Sequence, residues 1–204
     1  VSVSLVTGYV RLDSRHRSHA RYCELGQRLL NLGIPGVAFH DRLEDLWMTR
    51  ELGSVPYGSK DSLAYFCVQN QKSEWLLRAS RCTDAKTLVW MDYGILHNVL
   101  VPEPGIVEFF DRVAANPPDR IAYPGCHKIG DLPIPRNQVH WAFCGTILIL
   151  PSDMAEWFAT ECRRVALAGQ PTWEVNVWAI IAQANPDKFR WYAADHDASL
   201  LRYR

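Results

Sequence analysis

Thr87-Leu88-Val89-Trp90-Met91-Asp92-Tyr93-Gly94 drives an unbroken apolar run into one carboxylate beside a glycine. Leu88 to Met91 offer no polar face, so the run suits a strand covered on both sides, as in the middle of a parallel α/β sheet. Asp92 then emerges at the carboxyl edge, where open α/β sheets collect their ligands. An acid there is placed to hold a metal ion or a sugar. The competing reading is that Asp92 only shapes the bend, since Asp beside Gly is common turn chemistry.

Working outward, residues 3–6 read as a short first strand, and a basic loop from Arg11 to Arg17 leads into a helix with Tyr22, Leu25, Leu29 and Leu32 on one face, stopped at Gly33. Ile34-Pro35-Gly36 turns into a second strand, Val37-Ala38-Phe39-His40-Asp41, which gives a β-α-β opening and favours a parallel sheet. Residues 61–81 have the composition of one helix, with Trp75, Leu76 and Ala79 buried. After the Trp90 strand, Ile106, Val107, Phe109, Phe110 and Val113 mark a helix ended by Asn116-Pro117-Pro118, and residues 120–123 a short strand. Residues 124–136, rich in Gly and Pro, are expected to form a mobile functional loop. Residues 143–150 read as a strand, Ser152 as an N-cap, and Met154, Trp157, Phe158 and Val165 as the apolar stripe of the helix it starts. Residues 172–184 read as a helix and 189–194 as a last strand before Asp195-His196-Asp197.

The chain is long enough, at 204 residues, for one domain with a substantial core, and no linker or repeat divides it. Lys plus Arg and Asp plus Glu both total 22, so no global field recruits nucleic acid or an anionic membrane. No apolar stretch approaches the ~20 residues that cross a bilayer. The six cysteines are scattered without zinc-finger spacing, and most are expected to be reduced and buried in a cytoplasmic setting. Because the chain opens at Val1, a preceding leader or anchoring segment stays open.

The order of β-α-β opening, lysine-bearing helix, apolar strand and late Trp-Glu helix resembles GT-A glycosyltransferases, especially the small bacterial HtrL/YibB-like group. The resemblance spans most of the chain, and its most specific piece is Trp90-Met91-Asp92-Tyr93-Gly94-Ile95, which looks like that group's Trp-x-Asp-x-Gly-Ile signature. It implies a single GT-A-like, Rossmann-related α/β domain over residues 1–204, with a mainly parallel central sheet flanked by helices. It also implies that Asp92 holds Mn²⁺ or Mg²⁺ against the diphosphate of a nucleotide sugar, that the sugar passes to a hydroxyl acceptor such as a surface glycan, and that Lys72 neutralises a phosphate. Many relatives use Asp-x-Asp, whereas Gly94 stands in place of the second acid. A ligand from the tail would help, and His196 is the candidate, with Asp195 and Asp197 as substitutes; a solvated turn is the plainer reading of those three.

Arg11, Arg15, Arg17 and Arg21 crowd the end of the first strand, where guanidinium groups suit phosphate oxygens, and Arg15 is the candidate; a solvated basic face is the alternative. His140-Trp141-Ala142-Phe143-Cys144-Gly145-Thr146 joins aromatic planes, which pack on sugar C–H faces, to a glycine that lets a ligand approach the backbone. Trp141 and Gly145 are therefore candidate ligand contacts, as is Trp173, which precedes the late helix. Glu174 is the candidate base that takes the acceptor's proton, set against the general preference for anions in a first helical turn. Cys126-His127 carries little as a thiolate nucleophile, since neighbours in sequence rarely aim at each other. The chain has no G-x-G-x-x-G, P-loop, H-E-x-x-H or G-x-S-x-G pattern. The alternatives carried forward are a sugar-phosphate nucleotidyltransferase and a noncatalytic nucleotide- or glycan-binding module on the same fold.

Overall fold

The computed structural model describes residues 2–12, 18–56, 58, 61–97 and 101–204. Strands β1 (Val3–Tyr9), β2 (Gly36–His40), β3 (Thr87–Met91), β4 (Ile121–Gly125), β5 (Ile147–Pro151) and β6 (Phe189–Ala193) form a six-stranded sheet in the order β2-β1-β3-β5-β4-β6. β1 runs parallel to β2 and β3, and β4 parallel to β6; β5 is antiparallel to both of its neighbours. The helices are α1 (His19–Leu30), α2 (Trp47–Leu52), α3 (Leu63–Asn70), α4 (Lys72–Cys82), α5 (Glu103–Ala115), α6 (Ala155–Leu167) and α7 (Glu174–Ala184). This is the expected α/β domain with a mixed, mostly parallel sheet.

Every residue of β3 is buried, as its lack of a polar face requires. Successive side chains divide between two cores. Leu88 and Trp90 pack with Trp75 and Leu76 of α4, Phe158 of α6 and Trp178 of α7. Val89 and Met91 face the other way, toward Leu25 and Leu29 of α1 and Phe109 and Val113 of α5. Trp90 and Trp75 stack with ring centroids 5.5 Å apart, and Arg163 of α6 pairs with Glu74 of α4 between the two helices. No helix among the described residues is long and apolar enough to cross a membrane.

Several local expectations change. The helix expected over residues 61–81 is two, because the Asn70 carbonyl accepts the Trp47 indole N–H (3.2 Å) and the Ser73 hydroxyl (3.2 Å) while the Glu74 amide turns to the Gln71 carbonyl (2.9 Å). Ser152 lies in a 3₁₀ turn, and Met154 occupies the N-cap of α6 without a side-chain cap. The strand expected from residue 143 begins at Ile147, since the preceding residues are drawn aside by the bond from the Cys144 amide to the Pro124 carbonyl (2.8 Å). Three cysteines, Cys67, Cys144 and Cys162, are buried, fewer than expected, and all six are free.

The Gly- and Pro-rich span is held down rather than loose. Asn176, wholly buried in α7, donates to the carbonyls of Pro135 (2.9 Å) and Gln138 (2.8 Å) and accepts from the His140 amide (2.8 Å). Gln183 donates to the carbonyls of Gly130 (2.7 Å) and Leu132 (3.0 Å), and Arg136 to those of Gln170 (3.0 Å) and Val165 (2.6 Å). Backbone carbonyls of the span find donors on α7, and the Arg136 side chain ties it to the end of α6, so composition misleads here.

Candidate active site

Asp92 follows β3 directly. Its amide donates to the Thr146 carbonyl (3.0 Å) and its carbonyl accepts from the Ile95 amide (2.9 Å), which fixes the turn at the sheet edge. The Trp90 indole donates to Asp92 Oδ1 (2.9 Å), and Lys72 Nζ lies 3.0 Å from the same oxygen. Lys72 Nζ also donates to Glu174 Oε1 (2.7 Å) and to the Gly145 carbonyl (2.9 Å). The ammonium thus donates two hydrogen bonds and pairs by charge with both acids. Three residues that the sequence offered separately, from the start of α4, the end of β3 and the start of α7, therefore meet at one point.

The burial of this cluster sets its electrostatics. The side chains of Lys72 and Glu174 are 4% and 6% exposed, and that of Asp92 is 28% exposed. Burial by itself lowers the Lys72 pKa, but the charges of Asp92 and then Glu174 outweigh it and hold the ammonium above its ordinary value of 10.5. For Glu174 burial dominates and pushes the carboxyl above its ordinary 4.5, with Lys72 opposing the shift.

Two glycines are dictated by close approach. A Cβ at position 145 would lie 2.4 Å from Glu174 Oε1, so Gly145 lets the carboxylate lie against the backbone. A Cβ at position 94 would lie 2.8 Å from the Tyr22 ring, so an acid there meets the packing of α1 against the turn. That is a physical reason for a lone carboxylate after β3.

Two adjoining cavities open on either side of the cluster and share Lys72, Asp92, Tyr22, Tyr65 and Gln69 in their walls. The first is aromatic. Tyr9 stacks against His19, Tyr22 and Tyr93 at centroid distances of 5.6, 5.5 and 5.4 Å, and burial pushes its phenol up to about 12. The second cavity is lined by Trp141, Gly145, Thr146, Trp173, Glu174 and His196.

The structure thus brings Asp92, Lys72, Glu174, Gly145, Trp141, Trp173 and His196 to one cleft. Trp141 presents an indole that is 45% exposed. Trp173 is tethered by its indole N–H to Asp61 Oδ1 (2.9 Å). His196 meets Trp141 edge-on at 4.6 Å and lies 3.2 Å from Asp195 Oδ1. Its ligand atoms group with the thiols of Cys126 and Cys144, all within 4.8 Å of one another. Asp197 caps the amide of Ser199 (2.7 Å). Arg15 and Arg17 lie outside the described residues, while Arg21 pairs with Glu24 (2.5 Å).

Tyr65, Gln69 and Thr146 are among the cleft residues that escaped the sequence reading. Tyr65 and Gln69 are spaced i and i+4 ahead of Lys72 at i+7, a helical polar stripe that was legible in principle. The Thr146 hydroxyl is buried without a hydrogen-bond partner among the described residues, and no sequence pattern announces it.

No family model matches the chain, and no curated protein matches it. Among solved structures, the chain is similar to a glycosyltransferase involved in the glycosylation of the major capsid of PBCV-1, at 12% identity over 96% of this chain and 82% of that one, with a TM-score of 0.54. It is also similar to CMP:2-keto-3-deoxy-manno-octonic acid synthetase complexed with CTP, at 8% identity over 95% and 90% of the two chains, with a TM-score of 0.49. At such identities the likeness concerns the fold, and the chain has a GT-A-like α/β fold.

Proposed function

We propose that this protein transfers a sugar from a nucleotide diphosphate sugar to a hydroxyl acceptor. The observation that carries this reading is the meeting of Asp92, Lys72 and Glu174 between two adjoining cavities at the carboxyl edge of a GT-A-like sheet. The aromatic cavity suits a nucleobase, and the second suits the sugar and its acceptor, with Trp141 and Trp173 offering planes for sugar C–H faces. The HtrL/YibB-like signature at Trp90 to Ile95 supports the same reading from sequence.

The chain's own residues supply most of the chemistry. Lys72 is buried between Asp92 and Glu174, so it acts by holding the two acids in place and by its charge. Glu174 takes the acceptor's proton; its raised pKa brings it nearer the working range of a general base. Gly145 and the Thr146 hydroxyl border the transferred sugar.

A divalent ion fits at Asp92 in a limited way. Oδ1 is occupied by Trp90 and Lys72, whereas Oδ2 has no hydrogen-bond partner among the described residues. One carboxylate oxygen suits Mn²⁺ or Mg²⁺ when diphosphate oxygens and water complete the shell. Such an ion neutralises charge developing on the departing nucleoside diphosphate. His196, grouped with two thiols, is left out of this ligand set.

The test is calorimetry with nucleoside diphosphates, with and without Mn²⁺, followed by donor-hydrolysis assays. Metal-assisted binding with turnover of a nucleotide sugar is expected. Binding without turnover of any donor or acceptor favours a noncatalytic module instead.

A further inference from the structure

Cys126 and Cys144, unrelated by spacing in the sequence, are brought together by the fold. Cys126 follows the last residue of β4, and its amide donates to the Trp141 carbonyl (3.1 Å). Cys144 lies in the turn before β5, tied by its amide to the Pro124 carbonyl (2.8 Å). The chain leaving β6 joins them through the bond from the Ala194 amide to the Gly125 carbonyl (3.1 Å), which delivers His196 to the same place. Backbone hydrogen bonds therefore set the three donors without help from a ligand.

We propose that Cys126, Cys144 and His196 form a binding site for a thiophilic divalent cation, of which Zn²⁺ is the natural choice, at the lip of the cleft. The two sulfur atoms are 3.8 Å apart. Zinc–sulfur bonds of about 2.3 Å at a tetrahedral angle place two sulfurs about 3.8 Å apart, so this edge of the coordination shell is already formed. The ligand atoms of all three residues lie within 4.8 Å of one another. Asp195 Oδ1 is 3.7 Å from Cys126 Sγ and 3.2 Å from His196 Nδ1, close enough to complete the shell directly or through water.

Two thiols and an imidazole select zinc over Mg²⁺ or Mn²⁺, which prefer oxygen. Cys144 is buried and Cys126 exposed, so one side is anchored in the core and the other admits the ion. On binding, each thiol releases its proton to solvent and forms one metal–thiolate bond, with no change of oxidation state. The ion links β4, the turn before β5 and the tail after β6, and it fixes His196 against the exposed Trp141 indole of the cleft.

The site is tested by titrating the reduced chain with Co²⁺ and recording its absorption. One equivalent is expected to give a thiolate-to-cobalt charge-transfer band with the intense visible bands of tetrahedral Co²⁺, both bleached by Zn²⁺. Cys126→Ser, at an exposed position, should weaken this binding by no less than the roughly 10–100-fold typical of losing an outer-shell partner, as should His196→Ala. Asp92→Asn should leave the band unchanged, which separates this site from any ion held beside a diphosphate. A Co²⁺-saturated chain without the charge-transfer band, a band that forms with wild-type affinity and intensity in Cys126→Ser, or one abolished by Asp92→Asn would overturn the proposal.

Discussion

Lys72 at the start of α4 and Glu174 at the start of α7, 102 positions apart in sequence, close to 2.7 Å in the interior of the protein. The same ammonium reaches Asp92 at the end of β3, so one cation restrains both acids of the cleft. A buried pair of this kind is weak as a source of stability but costly to break, because the remaining charge is stranded.

Lys72→Met is therefore expected to destabilise the fold by about 3–5 kcal/mol, read by urea unfolding. The double variant Lys72→Met with Glu174→Gln should recover part of that loss, since the more buried of the two stranded charges is gone. Equal losses in the two would contradict the pairing. The wild-type contribution has a defined pH window: with the folded pKa of Lys72 above the unfolded 10.5, it is fully present below pH 10.5 and disappears as pH rises through the folded value.

Glu174→Gln leaves Lys72 paired with Asp92, so it should keep the fold while lowering kcat about 10²–10⁴-fold, the usual range for loss of a general base, with little change in donor KM. Because burial raises the carboxyl's pKa, the acid limb of the wild-type pH–rate profile should lie above pH 4.5 and should vanish in the variant. An unaltered acid limb in the variant would assign it to another group.

Gly145→Ala places a methyl group 2.4 Å from Glu174 Oε1. The expected result is a stability loss of about 1–3 kcal/mol, as for other overpacked sites, together with loss of transfer activity. Wild-type stability and activity in this variant would show that the contact is easily relieved.

Asn176→Ala removes the clamp on residues 135–140, leaving the His140 amide and the Pro135 and Gln138 carbonyls without their side-chain partner. A polar group left unpaired away from water costs about 1–3 kcal/mol, and less where solvent replaces the lost partner, as at exposed Gln138. Limited trypsin digestion should cut faster at Lys128 and Arg136 than in wild type, and an unchanged cleavage rate would argue that the other anchors suffice.

The sheet was legible because its strands carry strong local patterns. The apolar run before Asp92 located β3, and the alternation of its buried faces followed from the pleat. The clamp on residues 124–136 was not legible, since Gly and Pro composition says nothing of Asn176 and Gln183 reaching in from a later helix. At the site, Asp92, Lys72 and Glu174 could each be singled out from local context, but their sharing of one ammonium is a tertiary fact. Lys72 can be buried because two carboxylates and a carbonyl replace its water. The thiol–imidazole group was invisible for a related reason: its members come from three segments with no common spacing.

The central claim is that the Asp92 carboxylate anchors a metal-assisted diphosphate, and isothermal calorimetry of wild type and Asp92→Asn with a nucleoside diphosphate, with and without Mn²⁺, tests it most directly. The wild type should bind more tightly with Mn²⁺, and Asp92→Asn should lose that enhancement while keeping its circular dichroism spectrum. An enhancement of equal size in the two proteins would contradict the account.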